Sequence, residues 1–262
     1  MLQVDMTPNH LGFKISGDFD ALDELYDAVF ALTVSDDLDE GRSEGTPGEQ
    51  LMCTRLLALC YDIRHACQGS RGVEFVYSGM HEEHARVLEL PFVEKNVVFS
   101  VEIIYPEAMY EIMVLNYLIY RRENILSNQK PYRTAWEENA TVLLDPTICT
   151  VRYFQSRLLE AVGSVVSTGR FSRIRKQVNT NYHYTPYMYT QWLDLIDSDF
   201  ASMTPKQRLE GMSTVVRDLA DFSYNEQYKG LVKSIDKYAE KEAISRANVE
   251  IPNLSYPEDI EW

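Results

Sequence analysis

The chain has 262 residues, 45% apolar and 11% aromatic, with 25 Lys and Arg against 40 Asp and Glu, for a formal net charge of −15. That composition supports well-buried cores in one large domain or two small ones and excludes disorder over most of the length. The acidity excludes a general coat for DNA or RNA, whose affinity comes mainly from counterions released by a basic surface. The charge is uneven, however: residues 1–50 hold twelve acids and two bases, residues 250–262 hold four acids and no base, and the body between them sits near −1.

In chain order, two alternating runs come first, Leu2 to Met6 and Phe13 to Ser16. Thr7-Pro8-Asn9-His10-Leu11-Gly12 separates them, so a hairpin with a longer loop is predicted. Asp20 is placed to cap a helix carrying Leu22, Leu25, Tyr26, Val29 and Leu32 on one face. Ser35 to Gly45, with five acids and two Gly, reads as an exposed loop. Thr46-Pro47-Gly48-Glu49 has the form of a capping box with Pro at the first helical position, and Met52, Leu56, Leu59, Cys60, Ile63 and Cys67 follow as a core stripe up to Gln68-Gly69.

Val73 to Tyr77 reads as a strand, and Val97 to Tyr105 as a stronger one whose apolar residues on both faces suggest a central position. Pro106-Glu107 opens a helix through about Arg122, and Asp145-Pro146 another to about Ser167. A second capping box, Thr204 to Gln207, leads into Leu209, Met212, Val216, Leu219 and Phe222, and a last amphipathic helix uses Tyr228, Leu231, Ile235, Tyr238 and Ala239. The expected class is therefore α+β: a small, mostly antiparallel sheet covered by helices in the N-terminal half, then a helical C-terminal half. The expected regions are 1–123, 124–250 and an acidic tail, 251–262. One continuous unit and two packed halves meeting near 124–145 both fit.

Ile112 to Tyr120, the longest apolar run, is half the length of a bilayer span, and Asp5 with no preceding basic stretch argues against a signal peptide. Cys53, Cys60 and Cys67 fall seven apart on one helix, about 10 Å between neighbours, too far for disulfides and consistent with small buried side chains in a reducing cytoplasm. His81-Glu82-Glu83-His84 lacks the four-residue His spacing of a zincin helix, so a solvated loop and no metal are expected there.

Two groups of residues have the chemistry of an anion site. At the end of the second helix His65 lies on the wheel beside Tyr61, Arg64 and Gln68, with Arg71 just beyond. His65 could serve as an acid or base and Arg64 or Arg71 as an anion clamp, although basic groups at a helix C-terminus also serve simply to satisfy its last carbonyls. Arg170, Arg173, Arg175 and Lys176 form the densest basic cluster and precede Tyr182, His183 and Tyr184. Guanidinium forks and aromatic rings of this kind suit a phosphorylated aromatic ligand, a protein interface, or pairing with the acidic N-terminal region. No glycine-rich phosphate loop and no nucleophile elbow occur.

Ile15 to Ala28, Cys60 to Ala66 and Arg71 to Val76 together resemble an uncharacterised bacterial protein family of unknown function, over roughly the first 120 residues. The resemblance implies a bacterial, cytosolic protein and carries no transferable activity. The expectation is a non-enzymatic protein without cofactor, acting through protein–protein contact and associating with itself through the opposite charges of its basic and acidic segments. One alternative is a binder or hydrolase of a phosphorylated, nucleotide-like ligand held by Arg170 to Tyr184. Another is an acidic mimic of nucleic acid.

Overall fold

A computed structural model describes residues 1–34, 46–128, 144–180, 182–252, 254 and 261–262. The acidic loop 35–45, most of the 124–145 boundary, Asn181 and most of the tail fall outside these residues. Four strands, β1 (Gln3–Met6), β2 (Gly12–Gly17), β3 (Gly72–Tyr77) and β4 (Lys95–Ile104), form one antiparallel sheet in the order β1-β2-β4-β3. The first hairpin and the central position of β4 agree with the alternation of the sequence. No strand follows residue 104 among the described residues.

The helices are α1 (Phe19–Thr33), α2 (Pro47–Cys67), α3 (Glu82–Val87), α4 (Tyr105–Asn128), α5 (Pro146–Val165), α6 (Thr168–Thr180), α7 (Thr190–Ala201), α8 (Pro205–Ala220) and α9 (Glu226–Glu242). Helix starts follow side-chain chemistry. Both capping boxes form: the Glu49 N–H donates to Thr46 Oγ1 at 3.3 Å while Glu49 Oε2 accepts from the Thr46 N–H at 2.8 Å, and Thr204 and Gln207 repeat the exchange. Asp18, not Asp20, caps α1. Its Oδ1 accepts from the Ala21 N–H at 3.0 Å, so the helix starts two residues earlier than the pattern of leucines suggests. His81 to His84 lies at the start of the short helix α3 rather than in a loop, because the acids of its first turn complement the exposed N–H groups there.

Val4, Phe13, Ile15 and Val101 point to the face of the sheet that carries the helices, while Gln3, Asp5, Lys14, Glu74 and Glu102 line the other face. The hydrophobic interior continues from Leu2 through α1, α2 and α4 to Phe154, Trp192, Val216 and Tyr228, so it draws on both halves of the chain. Tyr105, at the junction of β4 and α4, stacks between Phe13 (5.8 Å) and Phe200 (5.5 Å) and donates its hydroxyl to the Met212 carbonyl at 3.3 Å. At Gly48 a Cβ would sit 1.8 Å from the Pro186 carbonyl oxygen, so only glycine lets the start of α2 close on the segment 182–187.

The two edges of the sheet differ. β1 is covered by α5, whereas β3 packs against β4 and keeps every residue exposed. The outer parts of β3 and β4, with α3 and the connection between them, form an arm in which most residues stay exposed.

Candidate functional site

The residues proposed for an anion site do not gather in one place. Arg71 is paired with Asp62 (Nη2 to Oδ1, 2.7 Å), Arg64 lies over the Tyr61 ring at 5.7 Å, and His65 packs against that ring at 4.2 Å between centroids. This is a surface cap on the end of α2. The basic cluster is helical, which spreads it around α6: Ile174 and Val178 face the core, Arg173 and Lys176 face solvent, Arg170 is half-exposed, and Arg175 turns over Phe171 at 5.8 Å. Tyr182 and His183 meet Tyr120 edge to face, and Tyr184 stays exposed. No ion pair joins Arg170, Arg173, Arg175 or Lys176 to an acid among the described residues.

Arg175 does line a cleft of about 740 Å³ between α5 and α6, with Ile112 of α4 on its floor. Arg152, Ser156, Leu159 and Gly163 recur along the facing side of α5. Arg152 Nη1 donates to Asn116 Oδ1 and to Gln155 Oε1 (3.0 Å), and no carboxylate pairs with the guanidinium among the described residues. Burial lowers its affinity for its proton, and the nearby Glu123 and Tyr182 oppose that. The sequence reading missed Arg152, since a single arginine on an amphipathic helix carries no local signal.

A second polar group lies inside the helical layer. Glu107 and Glu111 lie one turn apart on α4, Asp194 and Asp197 on α7, and Arg55 of α2 lies between them, bonded to Asp194 and 3.5 Å from Glu107. Burial first, and then the charges of Glu107 and Asp197, push the Glu111 carboxyl well above the usual range. Burial does the same to Asp197, and the Glu107 carboxylate beside it adds to the rise. Among the described residues Glu111 Oε2, Asp197 Oδ1 and the Tyr110 hydroxyl are buried without a hydrogen-bond partner. Among the described residues no group of three or more His, Cys, Asp or Glu is arranged to hold a metal ion. Burial also pushes the thiols of Cys53 and Cys60 up, to about 11 and about 12, and raises Cys67, so none is an activated nucleophile.

The arm is the third feature. Val73, Phe75, Val76 and Tyr77 of β3 and Val97 of β4 are exposed, Phe75 by 68%. So are Val87 and Leu88 at the end of α3, and Leu90, Phe92 and Val93 beyond it. Isolated apolar residues on a surface need no explanation, but Val73, Phe75, Tyr77 and Val97 share one face of an open sheet edge, the pattern of an interaction surface. A signal was present in the sequence: residues 87–93 carry large apolar side chains without a helical or strand period that would bury them.

These features define an α+β protein with a half-covered sheet, no metal centre among the described residues, and one apolar edge. The chain belongs to the family described as a domain of unknown function, DUF6904, whose model matches residues 2–262. The family likeness therefore covers the C-terminal half as well as the first 120 residues. No curated protein and no solved structure matches the chain, and no helix among the described residues is long and apolar enough to cross a membrane.

Proposed function

We propose that this chain is a non-catalytic cytoplasmic protein that works by protein–protein contact and self-association, and that its working surface is the β3–β4 arm. The observation that carries the reading is the exposed apolar side of the arm beside an unpaired strand edge. Cys53, Cys60 and Cys67, unpaired along one face of α2, support a reducing compartment. The interface differs from the charge pairing expected from composition, and salt distinguishes the two: exposed ion pairs are screened, whereas apolar burial is not weakened. Sedimentation velocity at low and at molar salt is expected to give a species heavier than the 30.3 kDa monomer at both. A monomer at both salts would remove self-association, and dissociation by salt would return the interface to the charged segments.

A second reading rests on Arg152, a guanidinium with no carboxylate partner among the described residues, facing Arg175 across the α5–α6 cleft. Two such groups beside Phe171 and Leu159 suit a phosphorylated aromatic ligand. A ligand at a hundred times its Kd adds about 2.7 kcal/mol, roughly 5–10 °C in Tm. Phenyl phosphate and nucleotides are expected to raise Tm in the parent protein and not in Arg152→Gln. If none of them moves the parent's Tm, the cleft is not a phosphate site.

A further inference from the structure

We propose that the occupant of the β3 edge is a second copy of this chain, added antiparallel about a two-fold axis beside Phe75, so that two four-stranded sheets become one of eight strands. The proposal rests on the reading of the arm as the working surface and names the partner and its register.

The hydrogen-bond pattern of the sheet decides which groups face outward. Antiparallel neighbours exchange N–H···O=C bonds at alternate residues, and the residues between point their N–H and C=O to the other side. The Tyr105 N–H donates to the Leu11 carbonyl at 2.9 Å, continuing the register Phe13↔Ile103, so the odd-numbered residues of β4 serve β2 and the even-numbered ones serve β3. The Ser78 N–H donates to the Glu94 carbonyl at 2.9 Å, one step beyond Tyr77↔Lys95, which gives the same parity from the other end. Gly72, Glu74 and Val76 are therefore bonded to β4. Val73, Phe75 and Tyr77 turn their N–H and C=O groups to the open edge.

Those three residues are self-complementary in one register. With the axis beside Phe75, Phe75 lies opposite the partner's Phe75 and Val73 opposite the partner's Tyr77, so every outward N–H meets an outward carbonyl. Moving the axis to Glu74 leaves Tyr77 without a partner from the trio and sets two like charges face to face. Moving it to Val76 strands Val73. In the favoured register Glu74 lies beside the partner's Val76 and keeps its ion pair with Lys14 on the polar face of the sheet. On the other face aromatic meets aromatic and Val meets Tyr, favourable cross-strand pairs.

Size and edge design agree. With about 150–250 Å² for a large side chain, the exposed apolar residues of the arm other than Val76, which shares the polar face with Glu74, present at most on the order of 900 Å², enough to reach the roughly 800 Å² each partner contributes to a standard stable interface. Protected edges carry charged side chains, Lys above all, Pro or a bulge; Gly72–Tyr77 has no Lys, Pro or bulge, and its one charge, Glu74, is paired with Lys14. The end of the arm is held: Tyr77 donates its hydroxyl to the Met80 carbonyl at 2.9 Å, and the Met80 N–H donates to Ser78 Oγ at 3.1 Å. A held edge spends little ordering entropy on pairing.

Cysteine crosslinking tests the register on the full chain with Cys149, the exposed native thiol, replaced by Ser. Two Phe75 positions would lie about 5.5 Å apart between Cα atoms, within disulfide range, and two Glu74 positions well beyond about 7 Å. Phe75→Cys is expected to give a covalent dimer under mild oxidation and Glu74→Cys none. Phe75→Lys, which opposes two ammonium groups, is expected to weaken association ~100-fold with the parent's melting profile retained at concentrations where both chains are monomeric, since Phe75 is outside the core. Crosslinking at 74 and not at 75, or at neither position while the parent remains a dimer, overturns the two-fold assignment and leaves the arm as an interface. A parent chain that is monomeric at every concentration overturns both.

Discussion

Replacing Arg55 by Met is expected to cost about 3 kcal/mol of folding stability, the lower end of the range for removing one partner of a buried ion pair, because the guanidinium keeps some solvent contact. Arg55 faces Glu107, Asp194 and, further off, Asp197. Burial works against its charge, and the carboxylates outweigh burial. Without Arg55, Glu107 and Asp194 lose their neutralising cation inside the helical layer. The double variant Arg55→Met with Asp194→Asn is expected to recover part of the loss, since the second change removes one of the stranded charges. Urea melts of the two single variants and the double variant give the coupling. A loss in Arg55→Met under about 0.5 kcal/mol would mean that the pair is as weak as an exposed one.

Glu111→Gln is expected to stabilise the protein at pH 8 by about 1–3 kcal/mol and to add little near pH 4. Native Glu111 holds its proton more tightly than the unfolded chain does, so the native state binds more protons between the ordinary carboxylate range and the raised native value. Stability is therefore full below that range and falls as pH rises through the window. The groups facing Glu111 are Glu107 of its own helix, Asp197 of α7, and Arg55 and Asp62 of α2, so the charge around it is mostly of its own sign. Glutamine keeps the shape of the side chain and removes the ionisation, which flattens the curve. Denaturant melts at pH 5, 6.5 and 8 check this. Equal differences at all three would show that Glu111 is ionised in the native protein.

Some of this was legible along the chain. Thr46 with Glu49, Thr204 with Gln207, and Asp145 before Pro146 mark helix starts, because a cap is satisfied within three or four residues and needs nothing from elsewhere. Asp18 and Asp20 both precede the leucine pattern, and which of them caps α1 depends on which carboxylate reaches the Ala21 N–H. The candidate anion residues were legible as chemistry and not as a site. Arg175 and the Arg64, His65 and Arg71 group are about a hundred residues apart, and nothing local says whether α2 and α6 present them to the same space.

The alternation of Leu2 to Ser16, the two-sided apolar pattern of β4 and the stripes of α1, α2 and α8 were enough to define an α+β chain, because periods of two and 3.6 residues follow from backbone geometry alone. Strand order, the cover that α5 gives to β1, the bare edge at β3 and the enclosure of four carboxylates around Arg55 arise from packing between distant segments. An apolar strand has the same pattern whether a helix covers it or not. Which face finds a partner is a property of the assembled layers, and at β3 every residue stays exposed.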